Sequence, residues 1–209
     1  MFIQLLSKHA VNILRKIAPS IEQFYLAGGT SLALQIGHRR SDDLDFFTAT
    51  PFDPQYLIND LAPENVPFVR KDTLYCEVKG VKVSFMLYQQ PLLYPLISWN
   101  EINLADWRDI SAEKMKTISQ RGAKKDFYDL YAVLKLKLSI QEVCELFVRK
   151  FQHSKINNYH VLKSLVYFDD AESDPEPIIM HKGNAWKWDS VKTFFKKNVT
   201  EFEKYLLQV

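Results

Sequence analysis

The residues that could do chemistry fall into two groups, and the first lies between Phe24 and Phe47. Gly28-Gly29 is followed by Thr30 and Ser31, then by the basic turn His38-Arg39-Arg40, then by Asp43 and Asp45 on either side of Leu44. A glycine pair lets the backbone approach a ligand closely, and a helix starting there offers N–H groups and partial positive charge to phosphate. In a strand, Asp-x-Asp puts both carboxylates on one face while Leu44 and Phe46 point the other way. Two such carboxylates can hold Mg²⁺ (or Mn²⁺), which takes its other ligands from water and substrate phosphates. Arg39 and its neighbours can contact phosphate oxygens or stabilise the loop. A glycine pair alone is usually a turn, and a lone Asp-x-Asp is usually a solvated strand end. The order matters more: within about twenty residues it supplies both halves of a site for a metal-bound nucleoside triphosphate.

The second group is the basic run Lys114, Lys116, Arg121, Lys124 and Lys125 with Asp126 and Asp129. Such lysines suit a polyanion, or simply form a solvated helix surface. Asp126 and Asp129 share a helix face, where the plain alternative is an acidic first turn complementing the helix dipole. A further basic cluster, Lys182, Lys187, Lys192, Lys196 and Lys197, lies in an aromatic-rich tail and reads mainly as surface.

The elements that must position these groups follow from periodicity. Phe24 to Ala27 is a short apolar strand, stopped by the glycines. Thr30 and Ser31 are expected to cap a helix carrying Leu32 to Ile36, ended by Gly37. Ahead of it, residues 2 to 18 are expected to be one amphipathic helix, with Phe2, Leu5, Leu6, His9, Ile13, Leu14 and Ile17 on its apolar stripe. Gln55 to Leu61 reads as a helix and Phe68 to Arg70 as a possible strand. Leu74–Val78 and Val81–Leu87 form a hairpin about Lys79-Gly80. Pro91 and Pro95 close the strand-rich part. Beyond residue 108 the pattern is helical: Ala112 to Gln120, a helix from Lys124, and one opened by the capping box Ser139/Glu142. Asp169 to Pro177 is expected to be an acidic loop.

Composition is that of an ordinary globular chain: 209 residues, 47% hydrophobic, 25% charged, net charge +2. Disorder is excluded beyond short loops, and near-balanced charge excludes a whole-molecule trap for nucleic acid. No apolar run approaches the roughly 20 residues that span a bilayer, and the N-terminus lacks a signal peptide's h-region, so the reading is cytoplasmic with no membrane partner. Cys76 and Cys144 have no metal or disulfide spacing and read as buried thiols.

These motifs resemble the nucleotidyltransferase superfamily that includes DNA polymerase beta, and more closely the AbiEii-type nucleotidyltransferases, the toxin halves of abortive-infection and toxin–antitoxin pairs. The hairpin Gly80–Phe85, Lys114, and the stretch Arg121–Tyr131 (RGAKKDFYDLY) carry the narrower match, which covers roughly residues 20 to 135. The resemblance implies an α/β core with a small mixed or antiparallel sheet over residues 1–108. It also implies a mainly helical part over 109–209 that completes the cleft. Gly28, Gly29 and Thr30 would form the nucleotide-phosphate turn, supported by Ser31, Arg39 and Lys125. Asp43 and Asp45 would be the metal-binding catalytic carboxylates, Lys114 would reach the triphosphate, and Asp126 would orient the reacting groups. The implied reaction moves a nucleoside monophosphate from a nucleoside triphosphate to an acceptor hydroxyl, with RNA such as tRNA favoured and a cognate antitoxin protein as partner.

One position departs from the superfamily pattern. Many of its active transferases carry a third carboxylate on a later strand, where this chain has Ser84. A serine hydroxyl adds no charge to a metal site and takes no proton unaided. Asp126 could replace the missing base, Glu77 could reach the site instead of pairing across the hairpin with Lys82, or one metal with substrate-assisted proton loss could suffice. Alternatively, the chain is a degenerate transferase that binds nucleotide or a partner without turnover, or it serves only as a subunit of a complex.

Overall fold

Seven strands in mixed order bear out the expected α/β class. The computed structural model describes residues 1–207, and the chain divides into two units, Met1–Trp107 and Arg108–Val209. In the first unit the strands are β1 (Tyr25–Leu26), β2 (Leu44–Thr48), β3 (Asn65–Arg70), β4 (Thr73–Val78), β5 (Val81–Leu87), β6 (Ile97–Trp99) and β7 (Ile102–Leu104). They form one sheet in the order β3-β4-β5-β2-β1-β7-β6. β2 is antiparallel to β1 and parallel to β5, while β1 is parallel to β7. The helices are α1 (Lys8–Ile17), α2 (Gly28–Ile36) and α3 (Pro54–Leu61).

Alternation decides which sheet face is core. Leu26, Leu44, Phe46, Leu74, Cys76, Val81, Val83, Phe85 and Leu104 join one apolar cluster with Ile13, Leu14 and Ile17 of α1 and Leu57 and Leu61 of α3. Phe46 and Phe85 stack with centroids 5.1 Å apart, and both are fully buried. Each such ring stabilises by roughly 2–3 kcal/mol. The β4–β5 hairpin turns where expected, with Lys79 at φ 50° and Gly80 at φ 74°, the left-handed pair that a two-residue type I′ turn needs.

Three local expectations are corrected. The N-terminal helix does not start at residue 2: a 3-10 turn (Ile3–Leu5) precedes Ser7, whose side chain caps α1 by accepting from the Ala10 N–H. A serine able to satisfy an orphan N–H makes a better helix start than interior. Phe2 instead lies against Gly37, and His9 is exposed rather than on the buried stripe. Secondly, Thr30 and Ser31 sit inside the first turn of α2, with Ala27 in the cap position. Thirdly, strands continue past Pro95, because β6 and β7 form a second hairpin about Asn100 and Glu101, both at positive φ. Its arms are three residues each and its turn has no glycine, so it carries no strong periodic signal.

The second unit is helical. Its helices are α4 (Trp107–Arg121, beginning on the last residue of the first unit), α5 (Lys124–Leu136), α6 (Ile140–Phe151), α7 (Asn158–Ser164), α8 (Asp169–Glu172), α9 (Trp188–Lys197) and α10 (Val199–Leu207). The Ser139/Glu142 capping box is complete. The acidic stretch holds the short α8 and is anchored: Lys124 Nζ donates to the Asp174 carbonyl at 2.7 Å and Tyr128 donates to Glu176 at 2.9 Å. Among the described residues no helix is long and apolar enough to cross a membrane.

Both cysteines are buried thiols, and burial pushes Cys76 up to about 11 and Cys144 up to about 12. At pH 8 a disulfide reagent such as DTNB is therefore expected to modify neither in the native protein and both after denaturation, since only thiolates attack. A rapid native equivalent would contradict this.

Candidate active site

In the first unit, the end of β1 brings the glycine turn onto the Asp-x-Asp strand. The Ala27 N–H donates to the Asp45 carbonyl at 2.9 Å, which fixes the start of α2 beside β2. Gly28 has φ +63°, and a Cβ built on it would lie 2.8 Å from Asp45 Oδ2. Only a glycine lets the backbone pass so close to that carboxylate. Asp45 pairs across the parallel β2–β5 ladder with Ser84, whose hydroxyl donates to Asp45 Oδ1 at 2.7 Å. Ser84 thus holds the Asp45 carboxylate in place.

Asp43 lies just before β2 rather than within it, so the period-two argument covers Asp45 alone. Its backbone is held by Thr30, whose Oγ1 donates to the Asp43 carbonyl and lies 2.8 Å from Ser41 Oγ. Ser31 is fully buried and accepts from Gln35 Nε2 at 3.0 Å, while Gln35 also donates to the Ala105 carbonyl at 2.8 Å. The hydroxyls of Thr30 and Ser31 therefore brace the turn. The groups that α2 can offer a phosphate are the N–H groups of its first turn, which have no acceptor within the helix. Arg39 is buried and its Nη1 donates to the Arg40 carbonyl at 2.9 Å, bracing the basic turn from inside. Sequence reasoning missed Gln35, although its spacing of four from Ser31 is the signal for a contact along one helix face. Glu77 lies directly across from Lys82 in the β4–β5 ladder.

Replacing Gly28 with alanine is expected to destabilise the protein by about 1–2 kcal/mol, because an L-residue is forced into left-handed backbone. It would also displace the Asp45 carboxylate and cut turnover about 100-fold, the scale of a 1 Å misplacement. Thermal melts and initial rates of the purified variant check both.

Among the described residues no three His, Cys, Asp or Glu side chains cluster as a metal cage. Mg²⁺ needs no such cage, since it takes one or two carboxylates and completes its shell from water and substrate phosphates.

In the second unit, Lys114 of α4 lies 2.7 Å from Asp126 Oδ1 and 2.6 Å from Asp129 Oδ2, both on α5 and both fully buried. Arg121 Nε, on a half-exposed side chain, adds a 2.8 Å contact to Asp126 Oδ2. Burial alone would push the Asp126 carboxyl up, but the Lys114 ammonium and the Arg121 guanidinium outweigh it and hold it below the ordinary carboxylate value. The basic run is not the solvated or polyanion-binding surface it resembled. Lys114 and Lys124 are buried, and Lys116 lies 5.2 Å from the Phe151 ring centroid. Lys125 is partly buried. In the tail, Lys182, Lys187, Lys196 and Lys197 are exposed, whereas Lys192 pairs with Glu172 and Asp189.

Comparisons with known proteins give a family and a fold. The family described as "Nucleotidyl transferase AbiEii toxin, Type IV TA system" matches residues 12–68 and 81–206. The uncharacterized protein aq_aa25 of Aquifex aeolicus (strain VF5) is 39% identical over 187 residues, covering 86% of this chain and 87% of its own. Among solved structures, MenT4, a nucleotidyltransferase toxin from Mycobacterium tuberculosis H37Rv, superposes with a TM-score of 0.58 at 15% identity over 99% of this chain and 93% of that one. JHP933 from Helicobacter pylori does so with a TM-score of 0.53 at 17% identity, over 95% of each chain. At these identities the two structures speak for the fold.

Proposed function

Because the chain belongs to the AbiEii nucleotidyltransferase toxin family, we propose that it transfers a nucleoside monophosphate from a nucleoside triphosphate to an acceptor hydroxyl, releasing pyrophosphate. RNA such as tRNA is the favoured acceptor, and the protein acts as the toxin of a pair with a cognate antitoxin protein. The observation that carries this reading is the approach of the Gly28 backbone to a carboxylate that Ser84 holds at 2.7 Å.

In this reading the glycine turn and the first N–H groups of α2 bind the triphosphate, and Asp43 and Asp45 bind Mg²⁺ (or Mn²⁺). The ion, when bound, neutralises phosphate charge and orients the in-line displacement. Thr30 fixes the Asp43 backbone and Ser84 fixes the Asp45 carboxylate, so both aspartates are preorganised. Arg39 supports the turn and Lys125 adds positive charge for the nucleotide. The resemblance implies a contact with the triphosphate for Lys114 and a role in orienting the hydroxyl for Asp126; with both side chains buried in one ion-pair cluster with Asp129, their part in this reading is to brace α4 against α5.

A second reading is favoured by one feature: Ser84 supplies a donor where a third acid would supply charge. The chain would then bind nucleotide or a partner without turnover.

Purified protein, labelled nucleoside triphosphates, Mg²⁺ and total cellular RNA separate the two. Metal-dependent labelling that disappears in Asp45→Asn supports the transferase. Tight triphosphate binding with neither label incorporation nor pyrophosphate release supports the binder. Growth arrest on expression should likewise require Asp45, and arrest that survives its replacement would count against the mechanism.

A further inference from the structure

We propose that the sheet face carrying Asp45 continues into a stacking platform, Tyr75 and Phe68, for unpaired bases of a single-stranded RNA acceptor. The inference rests on the transferase reading and names its acceptor class. Four residues lie on one rung across four neighbouring strands: Asp45 pairs with Ser84, Ser84 with Tyr75, and Tyr75 with Phe68. Residues directly opposite in a ladder point to the same side, so both rings stand on the face that displays the carboxylate. Strands are spaced about 4.8 Å apart, which puts the platform about 10–15 Å from Asp45, a few nucleotides along a strand whose end is at the metal site.

The rings are accessible to solvent. Phe68 is 42% and Tyr75 41% exposed, with centroids 5.5 Å apart. The Arg70 guanidinium lies 5.7 Å from the Phe68 centroid, and Tyr75 OH contacts Met86 Sδ at 3.5 Å, which steadies the second ring. Planar rings beside a planar cation suit bases, each of which has a π-face.

Charge and edge geometry favour RNA over a protein strand. Arg70, Lys71 and Lys82 are exposed around the rings, against Glu77, which faces Lys82. Asp72 in the adjoining turn accepts from the Phe52 N–H at 2.7 Å, and Glu64, at the far end of the strand pair, accepts from the Lys79 N–H. β3 is a sheet edge, but it carries Pro67 and a register shift between Asn65 and Phe68. Both features obstruct an added strand.

The test is fluorescence anisotropy with a labelled twelve-nucleotide single-stranded RNA and the same sequence as a duplex, together with label transfer to RNA. The double variant Phe68→Leu/Tyr75→Leu keeps apolar bulk and removes the rings, and Phe68→Tyr/Tyr75→Phe restores them. The leucine pair is expected to bind the single strand roughly tenfold or more weakly. It should raise KM for RNA with little change in kcat or in triphosphate affinity, and the aromatic pair should bind like the wild type. Arg70→Gln should reduce the salt dependence of RNA binding by about one counterion. Equal single-strand affinity of wild type and leucine pair, with transfer to RNA intact, overturns the platform and leaves the transferase reading standing. A leucine pair that loses only a protein partner also overturns it. Absence of any transfer by the wild type is the separate failure of the transferase reading and removes the premise of the platform.

Discussion

Asp45→Asn is expected to lower nucleotide transfer at least 1000-fold while changing stability by less than about 1 kcal/mol. Asparagine keeps the shape and can still accept the Ser84 hydroxyl at Oδ1, and the backbone link from the Ala27 N–H to the residue-45 carbonyl is untouched. Little stability is therefore at stake. What is lost is one of two charges proposed to hold the metal. Metal stabilisation of transition-state charge is worth several kcal/mol, and each 1.4 kcal/mol is tenfold in rate. The measurement is a pair: initial rates of pyrophosphate release, and thermal melts with and without Mg²⁺. A variant that melts like the wild type but retains more than a tenth of its rate would remove Asp45 from the metal site.

The second large effect falls on stability. Asp126→Asn is expected to destabilise the protein by about 3 kcal/mol at neutral pH, the low end for breaking a buried ion pair, because Lys114 still keeps Asp129. Loss of the contact to the half-exposed Arg121 adds little. The pH dependence tests the cause. The Asp126 carboxyl is held below its ordinary value, so its folded state binds protons less readily than the unfolded chain. Its stabilisation is thus fully present above the unfolded value near pH 3.9 and is lost as the pH falls through the lower folded value. Urea titrations at pH 7, 5 and 3 should show the wild-type advantage over Asp126→Asn unchanged between the first two and reduced at the third. An advantage that persists undiminished in acid would assign it to packing rather than to charge.

Much of this was legible because it is local. The Lys79-Gly80 hairpin, the helix stop at Gly37 and the Ser139/Glu142 box are short-range patterns whose cause lies within a few residues, and the structure forms all three. The order of glycine turn and Asp-x-Asp was likewise readable, because the two motifs sit within about twenty residues of each other. The Ser7 cap and the β6–β7 hairpin were misread because weak local preferences were settled by neighbours. Phe2 is drawn to Gly37 and Leu34, and β7 is completed by pairing with β1, more than seventy residues earlier.

By itself, the sequence determined the family's reaction class, the mixed α/β core and the order of glycine turn and Asp-x-Asp, since residue type and short spacing encode them. Only the tertiary structure decided what Ser84, Lys114 and Lys124 do. Strand pairing joins residues 45 and 84 on one rung and turns an apparent deletion of charge into a hydrogen bond that orients a carboxylate. Helix packing buries Lys114 between Asp126 and Asp129 and Lys124 beside the exposed Glu176. Both outcomes depend on which distant side chains meet and how much water remains between them, and neither quantity is written in the order of the residues.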